Sequence, residues 1–250
     1  MSSESEIHIN CDMGESFGRY TLVDDEMYMP FINACNIACG FHAGDPTVIE
    51  KTILNAKKYD LEIGAHPSFP DRQGFGRRQI IMDEKELESL IRYQVAALYG
   101  LTKSLGTKLS HVKVHGALYN LAAKNEATSI AVAKAVRSIS DKLVLYAPYK
   151  SIQSSIAEEL GVQVKYEAFI DRRYNNDRSL VSRKLENAVI QSPHEAWSQV
   201  YKIHREHTVS SIQDEEVTLE AQTFCIHGDN DAALEILKYF DSKINGKRMG

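Results

Sequence analysis

The chain has 250 residues, with 29 Lys plus Arg against 34 Asp plus Glu, for a formal net charge of −5. Hydrophobic residues make up 43% and charged residues 25%, the balance of an ordinary globular domain, which excludes disorder as a description of the whole. The acidic charge and the lack of a long basic run argue against nucleic-acid or anionic-membrane binding, and no apolar run reaches the roughly 20 residues that span a bilayer.

Residues 1–6 are polar and acidic, without the basic start and apolar stretch of a signal peptide. They are expected to be a flexible tail, and residues 7–245 a single domain. The 4 cysteines, Cys11, Cys35, Cys39 and Cys225, lie in or beside apolar strand-like runs and form no C-x-x-C pair. This suits buried free thiols in a reducing, cytoplasmic protein rather than a disulfide framework or zinc ribbon.

In chain order, Ile7–Asn10 reads as a first strand and Ala34–Cys39 as a second. Asp45 has the character of an N-cap with Pro46 at the first helical position, and Val48, Ile49, Ile53, Leu54 and Ala56 give the helix that follows an apolar face. Glu62–Ala65 is a third strand. The D-x-x-E pattern from Asp83 to Glu86 resembles a capping box, opening a helix whose Leu87, Leu90, Ile91, Val95, Leu98 and Leu101 face a core. Strands over Leu109–Val114, Leu143–Ala147 and Val162–Phe169 alternate with helices over Ser129–Ile139 and Ser151–Leu160. Ile170–Arg183 is a polar, irregular loop, Pro193–Glu206 a helix, Val209–Glu220 a candidate hairpin, Thr223–Ile226 the last strand and Asp231–Phe240 the last helix. About seven strand–helix units in alternation predict a parallel sheet, closed or nearly closed into one α/β barrel, with a doubly wound open sheet as the alternative.

The chemistry sits at the ends of the strands. Asp12 and Glu15 follow the first strand, His42 and Asp45 the second, and His66 the third. The fourth runs straight into Lys113 and His115; Asp171 and Arg172 follow the sixth, and His227 and Asp229 the last. Barrel enzymes assemble their sites at the C-terminal face from several strand ends. Any one of these residues alone fits a hydrogen-bonded structural role; their joint placement points to a pocket.

Several long segments in fixed order carry a resemblance. They are Asn10-Cys-Asp-Met-Gly-Glu-Ser-Phe-Gly18, Ala38-Cys-Gly-Phe-His-Ala-Gly-Asp-Pro46, Gly64-Ala-His-Pro-Ser-Phe-Pro-Asp71, Gly74-Phe-Gly-Arg-Arg78, His111-Val-Lys-Val-His-Gly-Ala-Leu-Tyr-Asn120 and His227-Gly-Asp229. With these the chain resembles, over almost its whole length, the LamB/YcsF lactam-utilisation family, whose bacterial members are A subunits of the ATP-dependent 5-oxoprolinase. The resemblance implies a single distorted TIM-like β/α barrel of the glycoside hydrolase/deacetylase type. It also implies opening of the lactam of 5-oxoproline or a related lactam to L-glutamate with ATP and Mg2+, in company with subunits B and C. The implied pocket residues are Asp12, Glu15, His42, Asp45, His66, Lys113, His115, His227 and Asp229. The chain departs from the family at Val23-Asp24-Asp25, at Val114, and at Asp177-Arg178 and Val181-Ser182-Arg183. The last two lie in the irregular loop and bear on substrate choice or partner docking.

In such a reaction His66 or His115 suits general acid–base work, Asp12 can orient a histidine, and Lys113 can neutralise an oxyanion or phosphoryl oxygen. Asp12, His42, His66, Lys113, His115 and His227 are therefore the catalytic candidates. Glu15, Asp45, Arg172 and Asp229 are the substrate-binding candidates, with Arg172 or Arg77 suited to a substrate carboxylate. No Walker A motif is present; Gly246-Lys247-Arg248 lacks the rest of the pattern, so ATP rests on the resemblance. Two alternatives stand beside this expectation. One is a stand-alone metal-dependent amide or acyl hydrolase, with a divalent ion on Asp12, His42 and His66. The other is a non-catalytic subunit that only binds partners. A homo-oligomer is compatible with the sequence.

Overall fold

The computed structural model describes residues 7–245; the expected N-terminal tail and Gly246-Lys247-Arg248 lie outside them. Seven strands close into a parallel barrel. In barrel order they are β1 (Ile9–Met13), β2 (Ala34–Ala38), β3 (Glu62–His66), β4 (Leu109–Val112), β5 (Val144–Pro148), β6 (Gln163–Phe169) and β9 (Thr223–Ile226), with β9 returning to pair with β1. The short antiparallel hairpin β7 (Thr208–Ser210) and β8 (Glu216–Thr218) lies outside the barrel, within the segment expected to form one.

The expected alternation holds, with instructive differences. Between β1 and β2 there is no α-helix, only two 3-10 turns at Asp25–Met27 and Met29–Phe31. Helices α1 (Pro46–Lys58) and α2 (Glu84–Ser104) begin at Asp45 and Asp83, whose carboxylates accept backbone N–H groups of the first turn. After β4 come two helices, α3 (Gly116–Ala122) and α4 (Glu126–Ile139), where periodicity indicated one. The first of them is too short to show an amphipathic repeat. Helices α5 (Ile152–Glu159), α6 (Pro193–Glu206) and α7 (Ala233–Asn245) complete the outer layer.

Between helices and barrel lies the apolar core. Ile49, Ile53 and Ala56 of α1 and Leu87, Ile91, Val95 and Leu98 of α2 are buried in it, whereas Leu54 is exposed. Each fully buried leucine, isoleucine or valine stabilises the fold by about 1.5–3 kcal/mol. Inside the barrel the filling is polar. Register pairs Asp12 with Asn36, and Asn36 Nδ2 donates to Asn10 Oδ1 at 2.7 Å and Asp12 Oδ1 at 2.8 Å. His111 reaches Asn36 Oδ1 at 2.8 Å and stacks on Tyr146. It can lie there because residue 64 is glycine: a Cβ at that position would stand 2.1 Å from His111 Nε2. Ionisable groups do gather where the strands emerge, but the strands are not apolar throughout: polar side chains also fill the barrel. Asp12 is within β1, which runs to Met13 rather than ending at Asn10, and a hydrogen-bonded ladder continues below it.

Candidate active site

Because all seven strands are parallel, their C-terminal ends form one mouth, and backbone pairing carries it beyond β4. Lys113 N donates to Ala65 O and His115 N to Pro67 O, both at 2.9 Å. Lys113 and His115 are thus held beside His66 at the end of β3. All three are buried, with Lys113 only 2% exposed.

Lys113 is the hub. Its Nζ lies 3.0 Å from Asp12 Oδ1, 3.2 Å from Glu167 Oε1 and 2.8 Å from Cys225 Sγ. Burial disfavours the ammonium, but Asp12, Cys225 and Glu167 outweigh it and hold the lysine pKa well above its ordinary range. Burial likewise works against the Asp12 carboxylate, yet His66 and Lys113 keep its pKa well below the usual carboxylate range. Both groups are therefore charged, a pair in which each partner offsets the other's desolvation. Glu167 makes an ion pair without a side-chain hydrogen bond. The Cys225 thiol is pushed up by burial, with Lys113 opposing. Burial pushes the Cys39 thiol up to about 12, which makes it inert rather than a nucleophile.

Beside this pair the histidines meet. His66 Nε2 is 3.2 Å from Asp12 Oδ2 and 2.9 Å from His115 Nδ1. His42 stacks on His115 with ring centroids 3.8 Å apart, and its Nε2 is 3.0 Å from Glu15 Oε1. Burial, then the neighbouring histidines, pushes the pKa of His42 and of His115 well down. Burial raises that of Glu15, with His115 opposing and Asp12 adding to the rise. The loop after β3 closes over these rings. Phe75 O accepts from His115 Nε2 at 2.8 Å, and Asp71, bonded to Gly74 N and the Arg78 guanidinium, fixes the turn. Gly76 has φ +65, and a Cβ there would meet His115 Cδ2 at 2.7 Å, so only glycine passes this point without strain.

Also at the mouth, Asp171 follows β6 and His227 follows β9. Asp171 is 1% exposed and accepts from His227 Nδ1 at 2.9 Å, while Phe169 stacks on the His227 ring. The carboxylate fixes the tautomer with hydrogen on Nδ1 and leaves Nε2 as the basic nitrogen. Outside this pair Asp229 binds the guanidinium of Arg77 and, at 3.2 Å, that of Arg183. Although burial raises its pKa, these cations hold Asp229 below its ordinary range.

The structure thus brings together Asp12, Glu15, His42, His66, Lys113 and His115, with His227 beside Asp12 at the end of the neighbouring strand β9 and Asp229 beyond it. Asp45 is set apart by its work as the α1 N-cap, accepting from Thr47 N, Val48 N and Gly18 N. Arg172 is 7% exposed; one nitrogen donates to Val181 O at 2.5 Å and its Nε has no partner. The expected metal trio is rearranged. His42 and His66 fall in a group with metal-ligand spacing completed by Glu15 and His115, while Asp12, engaged by Lys113 and Asn36, falls in a second with Cys225 and His227. Sequence reasoning misses Asn36, Glu167, Arg183 and the orienting role of Asp171. A signal exists for Asn36, a polar residue inside an otherwise apolar strand run; Glu167 stands in a strand that also carries Gln163 and Lys165, where it gives none.

A parallel β/α barrel with an ionisable cluster at its C-terminal mouth has the anatomy of a barrel enzyme. The sequence profile of the LamB/YcsF family matches residues 7–249. The chain is 43% identical over 232 residues to the A subunit of 5-oxoprolinase from Alkaliphilus metalliredigens, covering 93% of this chain and 91% of that one. It is 46% identical over 230 residues to the corresponding protein of Tolumonas auensis, covering 92% of each. The crystal structure of a lactam utilization protein from Thermus thermophilus superposes with a TM-score of 0.91 at 33% identity, covering 97% of both chains. This chain belongs to the LamB/YcsF family.

Proposed function

We propose that this chain is the A component of an ATP-dependent 5-oxoprolinase, opening the lactam of 5-oxoproline or a close relative to glutamate together with subunits B and C. The reading is carried by one observation: a histidine–carboxylate pair, Asp171–His227, stands at the barrel mouth beside Asp12 of the buried Lys113–Asp12 pair, in a chain whose relatives bear that name.

A five-membered lactam is an amide and resists water. ATP with Mg2+ supplies activation of the lactam oxygen, in a phosphoryl transfer that the partner subunits share. Residues suited to an anionic group on this face are Arg77 and Arg183, now on Asp229, and Arg172 with its unpartnered Nε. In the opening, one water adds to the activated carbonyl carbon and the C–N bond breaks with a proton to nitrogen, giving an acyl phosphate; a second water hydrolyses that to glutamate and inorganic phosphate, with ADP as the other product. His227 Nε2 takes the proton of the attacking water and returns it to the departing nitrogen. Asp171 holds the ring and balances the imidazolium. Lys113 supplies positive charge beneath the mouth and keeps Asp12 ionised.

The test is glutamate release from 5-oxoproline with MgATP, using this chain alone and with subunits B and C. Turnover in the mixture supports the reading. Its absence from every mixture contradicts it.

A further inference from the structure

The proton-transfer scheme makes no use of Glu15, His42, His66 and His115. The hydrogen bonds of two of these histidines determine where their lone pairs point. His66 Nδ1 lies 2.6 Å from Lys113 O, and His115 Nε2 lies 2.8 Å from Phe75 O. A backbone carbonyl only accepts, so both of these nitrogens carry hydrogen. The remaining nitrogens, His66 Nε2 and His115 Nδ1, stand 2.9 Å apart, with Asp12 Oδ2 3.2 Å from His66 Nε2. In neutral rings both nitrogens carry lone pairs, and the contact is resolved by a positive charge: a proton on His66 Nε2 shared with Asp12, or a metal ion that takes its place.

We propose that Glu15, His42, His66 and His115 form a binding site for one divalent transition-metal ion of the zinc class. One ligand atom from each lies within 4.8 Å of the others. The close pairs are 2.9 Å for His66–His115, 3.0 Å for His42–Glu15 and 3.7 Å for His115–Glu15. These bracket the roughly 3.3 Å edge of a tetrahedron whose bonds are about 2.0–2.1 Å; His42 and His115 lie in parallel planes with centroids 3.8 Å apart, so one of the two rings turns on binding to bring its lone pair to the ion. Carbonyl acceptors on the far nitrogens of His66 and His115 are the outer-shell arrangement that orients ligating imidazoles. Glu15 and neighbouring Asp12 balance the charge of the ion, and three imidazoles with one carboxylate suit zinc or cobalt better than magnesium or calcium. A second group of ligand-type residues, Asp12, Cys225 and His227, is excluded by Lys113, whose ammonium already contacts both Asp12 and Cys225.

This inference does not rest on the 5-oxoprolinase reading, and its test needs neither lactam nor partner. The purified full-length chain is stripped with a chelator and titrated with Zn2+ by calorimetry and with Co2+ by visible absorption. The expected result is one equivalent per chain, with the intense visible bands of tetrahedral Co2+. His66→Gln and His115→Gln should each weaken binding by ~100-fold or more, beyond what loss of an outer-shell partner causes. Glu15→Gln, at a less buried position, should weaken it by ~10-fold or more with the melting curve retained, which keeps the test valid if a histidine variant fails to fold. Lack of a stoichiometric site in the wild type, or Co2+ bands unchanged in Glu15→Gln, would overturn the proposal. So would loss of binding in Cys225→Ser with retention in His115→Gln.

Discussion

Two histidine-bearing regions of the barrel, its interior and its mouth, use the same side chains to opposite ends. In the interior, His111 has a partner on each nitrogen: the Ser110 hydroxyl 2.7 Å from Nδ1, and Asn36 Oδ1 2.8 Å from Nε2. Asn36 in turn donates twice, and Asn10 donates to Thr223 Oγ1. This ladder is closed, with its buried polar groups answered by protein. At the mouth the accounting stays open. His66 and His115 turn nitrogens toward each other, His42 Nδ1 and Arg172 Nε have no partner, and Glu167 has an ion pair but no hydrogen bond. A satisfied network makes the fold unique; an unsatisfied one in the same barrel is where a ligand has something to offer.

The largest effect expected from breaking this contrast is at Lys113, which joins the two regions. Lys113→Met leaves Asp12 and Glu167 as buried carboxylates without a cation, and removing one partner of such a pair costs about 3–5 kcal/mol. Urea unfolding should show that loss, together with loss of turnover. A change under about 1 kcal/mol would mean that water, not Lys113, compensates the carboxylates.

The interior makes a pH-dependent claim of its own. Burial pushes the His111 imidazole down to about 3 from its ordinary 6.5, so the fold favours the neutral ring. Its contribution is full above about pH 6.5 and is lost as pH falls toward 3, with an upper limit of about 5 kcal/mol. Asp25, on the loop that leads out of β1, does the reverse. Burial raises its carboxyl from 3.8 to about 6, against the Gly14 N–H that favours the anion. The fold favours neutral Asp25, so that contribution is full below about pH 3.8 and is lost as pH rises through 6, by at most about 3 kcal/mol. Denaturant midpoints across pH 3–7 should become less acid-sensitive in His111→Gln. In Asp25→Asn the decline between pH 4 and 6 should disappear. Unchanged profiles in both would contradict these assignments. The smallest effect is expected on the outer rim, where Asp229→Asn breaks a partly exposed arginine pairing and should change stability by about 1 kcal/mol or less.

How much of this is legible in the sequence follows from the range of the forces involved. Helix starts at Asp45 and Asp83 and the parallel strands are readable because capping and hydrophobic period are local. The gathering of Asp12, Glu15, His42, His66, Lys113 and His115 is readable because parallel strands all end at one face. The fate of each side chain is not. Asp45 reads as either cap or ligand until its oxygens are seen to accept three backbone N–H groups. His111 and His115, close together in one motif, differ only in what faces them from β2, β3 and the loop carrying Phe75. Asp171 gains its importance from a residue after β9, 56 positions along the chain, and Arg183 from a loop whose irregularity gives no sign of where it folds.

In the proposed reaction the open mouth, not the closed interior, carries the chemistry. The most direct test is turnover by the mixture with subunits B and C when this chain carries His227→Gln, read beside its melting curve. Glutamate release should fall by about 10²–10⁴-fold, the usual worth of a positioned acid–base group, with the melting temperature close to wild type. Near-normal turnover from a well-folded His227→Gln chain would contradict it.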